Sequence, residues 1–553
     1  MKFLRLCATA LFLLPTLPAG AAEAPANAKA APTPGGELVA TEWAGDTLLG
    51  SPVALTLDNQ GRVYVTQTTR RKQSELDIRA HADWVTKTLS FESVDERRKF
   101  YEEEMTPARS AANRKWLPDR NRDGVSDLRD LGVESELVLR IEDRAGSGKA
   151  DTRTVFADGL NSTMTGVAAG VLWFDGNVYL TAIPSVWKFS DARTPGAVDA
   201  KREEWVTGFG VKVAYSGHDM HGLTVGPDGR IYWSIGDKGL NVARPDGSRV
   251  KAASEGAVLR CEPDGTGFEI FARGLRNPQE LAFDEWGNLF SVDNDGDFRG
   301  ERERFVYITE QSDSGWRCNW QYRKGDYNPW MAEKLAVPAW KGQAAYLTPP
   351  LANYSDGPCG FTYNPGTALG TKYRQHFFLT HFPGRKITAF RTEPVGAAFK
   401  MVEERRVFGG PMMTGLAWGP DGALFVADWN HAVWNPHNKG KIWKLDVAEP
   451  DPLRAETQAL LRDGMAKRDA AALGGLLGHA DQRVRLGAQF ELVKRGDSAA
   501  LLAAAKSGKS PLARVHGIWG VGQLARKKPA AAAPLAALLA GQGRGANQKA
   551  RVP

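Results

Sequence analysis

Cysteine is scarce in this sequence. The 553 residues include four cysteines, one of which, Cys7, lies in the apolar start of the chain. The other three, Cys261, Cys318 and Cys359, allow at most one intramolecular disulfide, and the sequence does not select the pair. No Cys-x-x-Cys motif occurs, which excludes covalent c-type haem and thiolate zinc sites.

Long apolar runs are also missing. None reaches the roughly 18 residues that a membrane-spanning helix needs, so we expect no membrane span. Residues 1–21 instead have the pattern of a signal peptide, with basic Lys2 and Arg5 before an apolar segment and small residues at its end. We therefore expect an exported protein, periplasmic or extracellular, in which the Ala- and Pro-rich residues 22–40 form a linker.

The positive charge is unevenly placed. The formal net charge is +7, and residues 451–553 contain 17 Lys or Arg against 7 Asp or Glu. The basic residues of this region alternate with Ala and Leu at helical spacing. This pattern favours a solvated helical face, and we expect no nucleic-acid partner.

One hairpin pattern is repeated six times. An apolar strand leads to a turn, mostly with Asp and Gly, which is followed by a strand with an aromatic residue, as in LTVGPDGRIYWSIGD. The aromatic residues of the six copies are Tyr64, Tyr179, Tyr232, Phe290, Phe378 and Phe425. Their spacing suits four-stranded blades, some with insertions, and predicts an all-β six-bladed β-propeller over 41–447. A seventh, degenerate blade stays open at this point.

Two regions have helical patterns. The first, at about 70–151, is predicted to be an insertion in the first blade, and includes SVDERRKFYEEEM with Ser at a helix start. The second, at 452–541, contains two segments in which Arg485 aligns with Arg514 at a period of 29 residues. That period predicts a small all-α domain of HEAT-like repeats, able to bind a protein partner, followed by a tail at 542–553.

Polar residues recur just before two of the repeated strands. His218 and Arg276 each stand five residues before a leucine of the repeat, and Asn277 and Gln279 lie in the second of these segments. In a propeller such positions converge at one end of the central channel. An imidazole can act as a base near neutral pH, whereas a guanidinium and amides can hold a planar anion. The other interpretation is that these side chains only plug the channel.

At these residues the sequence resembles the soluble quinoprotein sugar dehydrogenases, including the sorbosone dehydrogenase-like proteins. The matching strings are GHDMHGLTVGPDGRIYWSIGD, FARGLRNPQELAFDEWGNLFSVDNDGD and SGWRCNW. The helical insertion and the HEAT-like tail resemble a subgroup of large exported proteins from Planctomycetes and Verrucomicrobia. The resemblance implies pyrroloquinoline quinone (PQQ) and calcium as cofactors, a sugar or alcohol substrate and an external electron acceptor.

The resemblance also implies site residues. His218 matches the base that takes the substrate hydroxyl proton, and Arg276, Asn277 and Gln279 match a segment that contacts the cofactor. Arg385 falls where the family has a basic residue beside the quinone, and the carbonyls of Asp295 and Gly296 fall where it binds calcium. The sequence departs from the family at 409–413, which contain no cation in place of arginines that pair with the cofactor's carboxylates.

The insertion contains a calcium-loop motif, DRNRDGVSDLRD. The predicted ligands, at loop positions 1, 3, 5, 7, 9 and 12, are Asp119, Asn121, Asp123, the Val125 carbonyl, Asp127 and Asp130. An Asx-rich turn without metal is the alternative. For the whole chain, the sequence favours an exported PQQ-dependent oxidoreductase over a non-catalytic propeller that binds carbohydrate or protein. A metal-dependent hydrolase of similar shape is the third interpretation.

Overall fold

The computed structural model describes residues 33–34, 38–190, 201–323, 325, 327–354 and 356–541. The predicted signal peptide at 1–21, most of the predicted linker and the predicted tail at 542–553 lie outside the described residues. Within the described part, every helix is too short or too polar to cross a membrane.

Six antiparallel four-stranded sheets follow one another along the chain, and we number them blades 1 to 6. The inner strands are Pro52–Leu57, Gly170–Phe174, Met220–Val225, Pro278–Phe283, Pro358–Tyr363 and Met413–Trp418. The second strands are Val63–Gln67, Asn177–Ala182, Ile231–Ile235, Leu289–Asp293, Phe377–His381 and Leu424–Asp428. The third strands are Glu136–Glu142, Ser185–Phe189, Gly256–Cys261, Glu303–Ile308, Lys386–Val395 and Lys441–Asp446.

The outer strands show how the ring closes. They are Thr152–Leu160, Arg202–Thr207, Glu269–Leu275, Ala352–Tyr354, Ala398–Gly409 and, in blade 6, the N-terminal strand Val39–Ala44. Each inner strand contacts the inner strand of the next blade, and the inner strand of blade 6 contacts that of blade 1. The predicted six-bladed propeller is therefore confirmed. The short strand Thr33–Pro34 extends blade 5, and Leu240–Ala243 and Arg249–Ala252 form a separate two-stranded sheet between the second and third strands of blade 3.

The six repeated aromatic residues all lie in second strands and are buried. They pack edge-on against rings of the same or the next blade, as Tyr232 does against Phe283 at 5.1 Å. Aromatic pairs of this geometry stabilise beyond their buried area. One aromatic ring per blade thus fills the space between neighbouring sheets, which explains why the aromatic repeat predicted the blade number.

The insertion leaves blade 1 after Gln67 and returns at Glu136, which is earlier than the predicted end near residue 151. Residues 136–151 include the third strand of blade 1, because five of the seven residues of ELVLRIE are buried in its sheet. The helices of the insertion are Ile78–Ala80, Ala82–Trp84, Val85–Leu89, Val94–Glu104, Pro107–Arg109, Ser110–Asn113 and Leu128–Gly132. Ser93 caps Val94–Glu104, as predicted.

Short helices also interrupt blades 4 and 5, at Cys318–Tyr322, Pro329–Ala332 and Thr371–Tyr373. The C-terminal region is helical: Arg454–Asp463, Ala470–Leu476, Gln482–Arg495, Ser498–Ser507, Pro511–Lys527, Pro529–Ala532 and Ala533–Gly541. The aligned residues Arg485 and Arg514 both donate Nη1 to the carbonyl six residues upstream, at 2.8 and 2.9 Å. This equivalence supports a repeat, while its HEAT-like character stays a prediction.

The helical region packs on one end of the propeller. Gln489 and Gln523 donate to the carbonyl of Pro227 at 2.7 and 2.9 Å, and Gln482 donates to that of Asp284 at 3.0 Å. Pro227 and Asp284 lie in turns that follow inner strands. The loops with His218 and Arg276 precede inner strands, so they lie at the opposite end, which we call the upper face.

Candidate functional site

The side chains of His218, Asp237 and Trp316 form a hydrogen-bonded chain on the upper face. His218 Nδ1 lies 2.7 Å from Asp237 Oδ1, and Trp316 Nε1 donates to Asp237 Oδ2 at 2.9 Å. Asp237 follows the second strand of blade 3, and its backbone N–H donates to the carbonyl of Arg276 at 2.8 Å. An ionised carboxylate only accepts hydrogen bonds, so His218 donates from Nδ1 and its Nε2 is left with a lone pair.

Electrostatics keep this imidazole neutral. Burial lowers the pKa of His218 below its ordinary value, Asp237 opposes that shift, and the charge of Arg276 adds to it. Burial disfavours ionisation of Asp237, but the charge and hydrogen bond of His218, with help from Arg276, lower the pKa of this carboxyl overall. A neutral imidazole oriented by an ionised carboxylate has the features of a general base.

Arg276 lies beside this chain. Its guanidinium is centred 5.6 Å from the rings of both Tyr215 and Trp316, and Tyr215 also contacts the ring of His218 at 5.6 Å. Arg276 Nε donates to Gln321 at 2.8 Å, and Nη2 lies 3.2 Å from Asp297. The structure therefore brings His218 and Arg276 to one site, with the guanidinium held by aromatic faces and a carboxylate.

The two predicted amides share a partner. Asn277 Nδ2 and Gln279 Nε2 both donate to Asn294 Oδ1, at 2.8 and 2.9 Å. Asn277 Oδ1 is buried and has no hydrogen-bond partner among the described residues. A Cβ added to Gly236 would lie 2.8 Å from this oxygen and 2.9 Å from His218 Cβ, so both residues pack closely against Gly236.

The insertion supplies charged residues that the sequence did not assign to the site. Lys238 Nζ bonds to Glu75 of the insertion and lies 3.0 Å from Asp219, while Glu75 also accepts from Ser216 at 2.5 Å. Burial and the charge of Glu75 raise the pKa of Asp219 to about 7. Burial opposes ionisation of Glu75, but Lys238 outweighs it and lowers the pKa to about 2. This cluster ties the insertion to residues 216–219, the loop that holds His218.

Arg385 is on the upper face but not in this group. Its Nε donates to the carbonyl of Gly410 at 2.7 Å, and no described contact joins it to His218 or Arg276. Gly410 lies between the outer strand of blade 5 and the inner strand of blade 6, so this hydrogen bond places the guanidinium at the junction of the two blades. The role of Arg385 beside a quinone stays a prediction.

The carbonyls of Asp295 and Gly296, which are predicted to bind the cofactor's calcium, differ in their hydrogen bonds. The Gly296 carbonyl accepts a hydrogen bond from Gln321 Nε2 at 2.7 Å, and the Asp295 carbonyl accepts none within the described residues. The N–H groups of Asp295 and Gly296 donate to Glu303 at 2.7 Å and Glu301 at 2.6 Å. A calcium ion here would compete with Gln321 for one of its two ligands.

The calcium-loop motif forms a compact turn. Asp119 accepts from the N–H groups of Asp123 and Gly124, while Asp130 accepts from those of Arg120, Asn121 and Asp127. Arg129 Nη2 lies 2.8 Å from Asp123 and 2.7 Å from Asp127. In the described chain no group of three or more His, Cys, Asp or Glu side chains is arranged to hold a metal ion. Calcium binding at this loop stays a prediction.

The axial channel contains one further acid. A cavity of about 160 Å³ is lined by the inner strands, and Glu280 is the only ionisable residue among the described lining residues. The other five blades have Gly or Ala at the same register: Ala54, Gly170, Gly222, Gly360 and Gly415. Burial raises the pKa of Glu280 to about 8.

Cys261, Cys318 and Cys359 are all free thiols.

Comparison with known proteins gives one family match and several structural likenesses. Residues 35–455 match the model of a domain of unknown function, DUF7133. No curated protein matches the chain.

The solved structures that resemble the chain include the PQQ-bound aldose sugar dehydrogenase of Streptomyces coelicolor, at 16% identity and a TM-score of 0.43, covering 75% of this chain and 100% of that one. The apo aldose sugar dehydrogenase of Escherichia coli has 13% identity, a TM-score of 0.43, and coverage of 74% and 99%. The PQQ domain of the Coprinopsis cinerea pyranose dehydrogenase has 11% identity, a TM-score of 0.42, and coverage of 75% and 97%. Similarity at this level does not define the chemistry of this chain. The family match covers most of the sequence, and the chain belongs to the DUF7133 family.

Proposed function

We propose that this protein is an exported oxidoreductase that oxidises a hydroxyl group of a sugar or alcohol, with PQQ as the hydride acceptor. The single observation that carries the proposal is the hydrogen bond from His218 to Asp237, which orients the imidazole. Its Nδ1 is fixed by Asp237, which leaves the Nε2 lone pair for a substrate proton. In the described part of the chain no other histidine pairs with a buried carboxylate.

The chain's own residues would handle the proton. His218 would take it from the substrate hydroxyl at Nε2, and Asp237 would stabilise the imidazolium that forms. Trp316, by donating to the second oxygen of Asp237, keeps that carboxylate from rotating away from the imidazole. Because the site is buried, these charges interact more strongly than they would in water.

The donor set fits a planar anionic quinone. Arg276 is a cation between two aromatic rings, which suits a planar anion, and Asn277 Oδ1 is a buried acceptor without a described partner, which suits an N–H donor of the ligand. A buried polar atom costs free energy unless a ligand or water bonds to it. Arg276, Asn277 and Gln279 would hold the cofactor, and Asp295 and Gly296 would contribute carbonyl ligands to its calcium. When bound, PQQ supplies the hydride-accepting quinone.

The proposal is tested by reconstitution. Purified full-length protein is incubated with PQQ and Ca²⁺, and reduction of an artificial electron acceptor is followed with a panel of aldoses and alcohols. We expect weak activity that His218→Ala abolishes and that His479→Ala, in the helical region, leaves unchanged. Absence of PQQ binding even at high calcium would contradict the proposal.

A second candidate function is carbohydrate binding without catalysis. It is favoured by an aromatic cluster on the upper face, where Trp434 is 39% exposed and packs edge-on against Phe382 at 4.5 Å. The C–H groups of a sugar ring can pack against exposed aromatic surface of this kind. Sugar binding that His218→Ala leaves intact, in a protein that does not bind PQQ, would favour this function.

A further inference from the structure

Arg71 is a cation without an ionic partner at the upper face. It begins the insertion, is half-buried, and has its guanidinium centred 5.1 Å from the ring of Trp434. No described side chain or carbonyl forms a hydrogen bond or ion pair with this guanidinium. Its neighbour Arg70 behaves differently, since its guanidinium donates to carbonyls that include those of Leu131 and Thr165.

The nearby carboxylates do not neutralise Arg71. Glu75 and Asp219 are the closest acids of the cluster described above, and both are bound to Lys238. A partly desolvated charge is costly unless an opposite charge or hydrogen-bond acceptors reach it. The unpaired guanidinium is therefore suited to an anion that comes from outside the chain.

Arg71 also lies next to the proposed base. Its Nη1 would be 3.2 Å from a Cβ added to Gly217, the residue that precedes His218. The pair formed by Arg71 and Trp434 lies nearer to solvent than the proposed base and the cofactor contact Arg276. Trp434 is 39% exposed, whereas His218 is 6% and Arg276 is 3% exposed. A ligand on this pair would occupy the outer part of the site, on the side from which a substrate enters.

We propose that Arg71 binds the carboxylate of a sugar acid whose ring packs against the exposed part of Trp434, so that the preferred substrates are uronates and not neutral sugars. A guanidinium binds a carboxylate through two parallel hydrogen bonds. The exposed aromatic surface of the indole can pack against the C–H groups of a pyranose. The substrate class rests on the proposed dehydrogenase function, whereas the carboxylate site itself does not.

The first test uses the reconstituted holoenzyme with D-glucuronate and D-glucose. Arg71→Gln should raise KM for glucuronate by roughly 10- to 100-fold, the loss expected for one charge-assisted pair, and leave KM for glucose unchanged. Arg71→Lys should recover part of the loss. The matched control is Arg98→Gln on the same insertion, where Arg98 is exposed and paired with Asp95 at 3.0 Å.

The second test needs no activity. Binding of D-glucuronate alone to the full chain is measured by isothermal titration calorimetry for the wild type, Arg71→Gln and Arg98→Gln, and binding of PQQ alone is measured in parallel. Glucuronate affinity that falls only in Arg71→Gln supports the carboxylate site, even if the wild type shows no turnover and the dehydrogenase function fails. The carboxylate site would be overturned if Arg71→Gln and Arg98→Gln bind glucuronate with equal affinity. It would also be overturned if Arg71→Gln loses affinity for PQQ but still discriminates between glucuronate and glucose as the wild type does, since Arg71 would then serve the cofactor.

Discussion

Replacing Asp237 by Asn tests the orientation of the proposed base. Trp316 Nε1 can only donate, so it would keep the amide oxygen of Asn at position 237 as its acceptor. The NH2 group of that amide would then face His218 Nδ1. Two N–H donors cannot share one hydrogen bond, and the imidazole must move its proton to Nε2. The nitrogen that faces the substrate would then be a donor and no longer a base.

The magnitude follows from the contacts. Every hydrogen bond of the buried chain survives after the tautomer changes, so we expect the free energy of unfolding to change by only about 1 kcal/mol. The value of kcat should fall much further, because general-base catalysis contributes roughly 10²- to 10⁴-fold to a rate. A large loss of kcat with an almost unchanged melting temperature is the expected signature.

The assay combines turnover with NMR. Dye reduction by the PQQ-reconstituted protein gives kcat, and ¹⁵N shifts of the histidine ring report which nitrogen is protonated. Asp237→Glu, which keeps the charge, is the control for the tautomer. The reasoning is refuted if Asp237→Asn keeps the Nδ1–H tautomer, or if it is folded and retains kcat within about threefold of the wild type.

Other groups give further predictions. Because the charge of Arg276 lowers the pKa of His218, Arg276→Gln should move the acidic limb of kcat/KM to higher pH; no shift would contradict this. The raised pKa of Glu280 means that the folded state holds its proton more tightly, so stability should fall as pH rises from about 5 to 8, by about 1–2 kcal/mol relative to Glu280→Gln in urea melts. If the stability difference between the wild type and Glu280→Gln is the same at about pH 5 and about pH 8, the raised pKa of a buried Glu280 is contradicted. Calcium should raise the melting temperature of the wild type but not of Asp119→Asn, and Arg129→Ala, which releases two carboxylates, should bind calcium more tightly.

The fold was predictable where it depends on local chemistry. Turns such as PDG at 227–229 place Gly where φ is positive, at 78° for Gly229, and the aromatic residue two or three positions later falls in the second strand. These signals recur in five blades, and the looser copy in blade 5 keeps the aromatic residue, so together they predicted the number of blades. They contain no information on the closure of blade 6 by Val39–Ala44, since that strand pairs with residues about 400 positions away.

The candidate site was only partly predictable for the same reason. His218 and Arg276 were found because equivalent offsets in a repeat become neighbours in space. Asp237 and Trp316 are 79 residues apart and meet at one hydrogen bond, which no spacing rule predicts. Arg385 was placed by resemblance alone, and its neighbour is Gly410.

The insertion changes what the upper face does chemically. Trp84 and Phe100 pack with Val211, Val213 and Tyr215, the segment that leads into the loop of His218. Lys212 of that segment donates to the carbonyls of Leu89 and Phe91 in the insertion, at 3.0 and 2.9 Å. This packing buries a loop that would otherwise be open to water, and burial is the largest cause of the lowered pKa of His218. The basicity of the imidazole is therefore set in large part by residues that do not touch it.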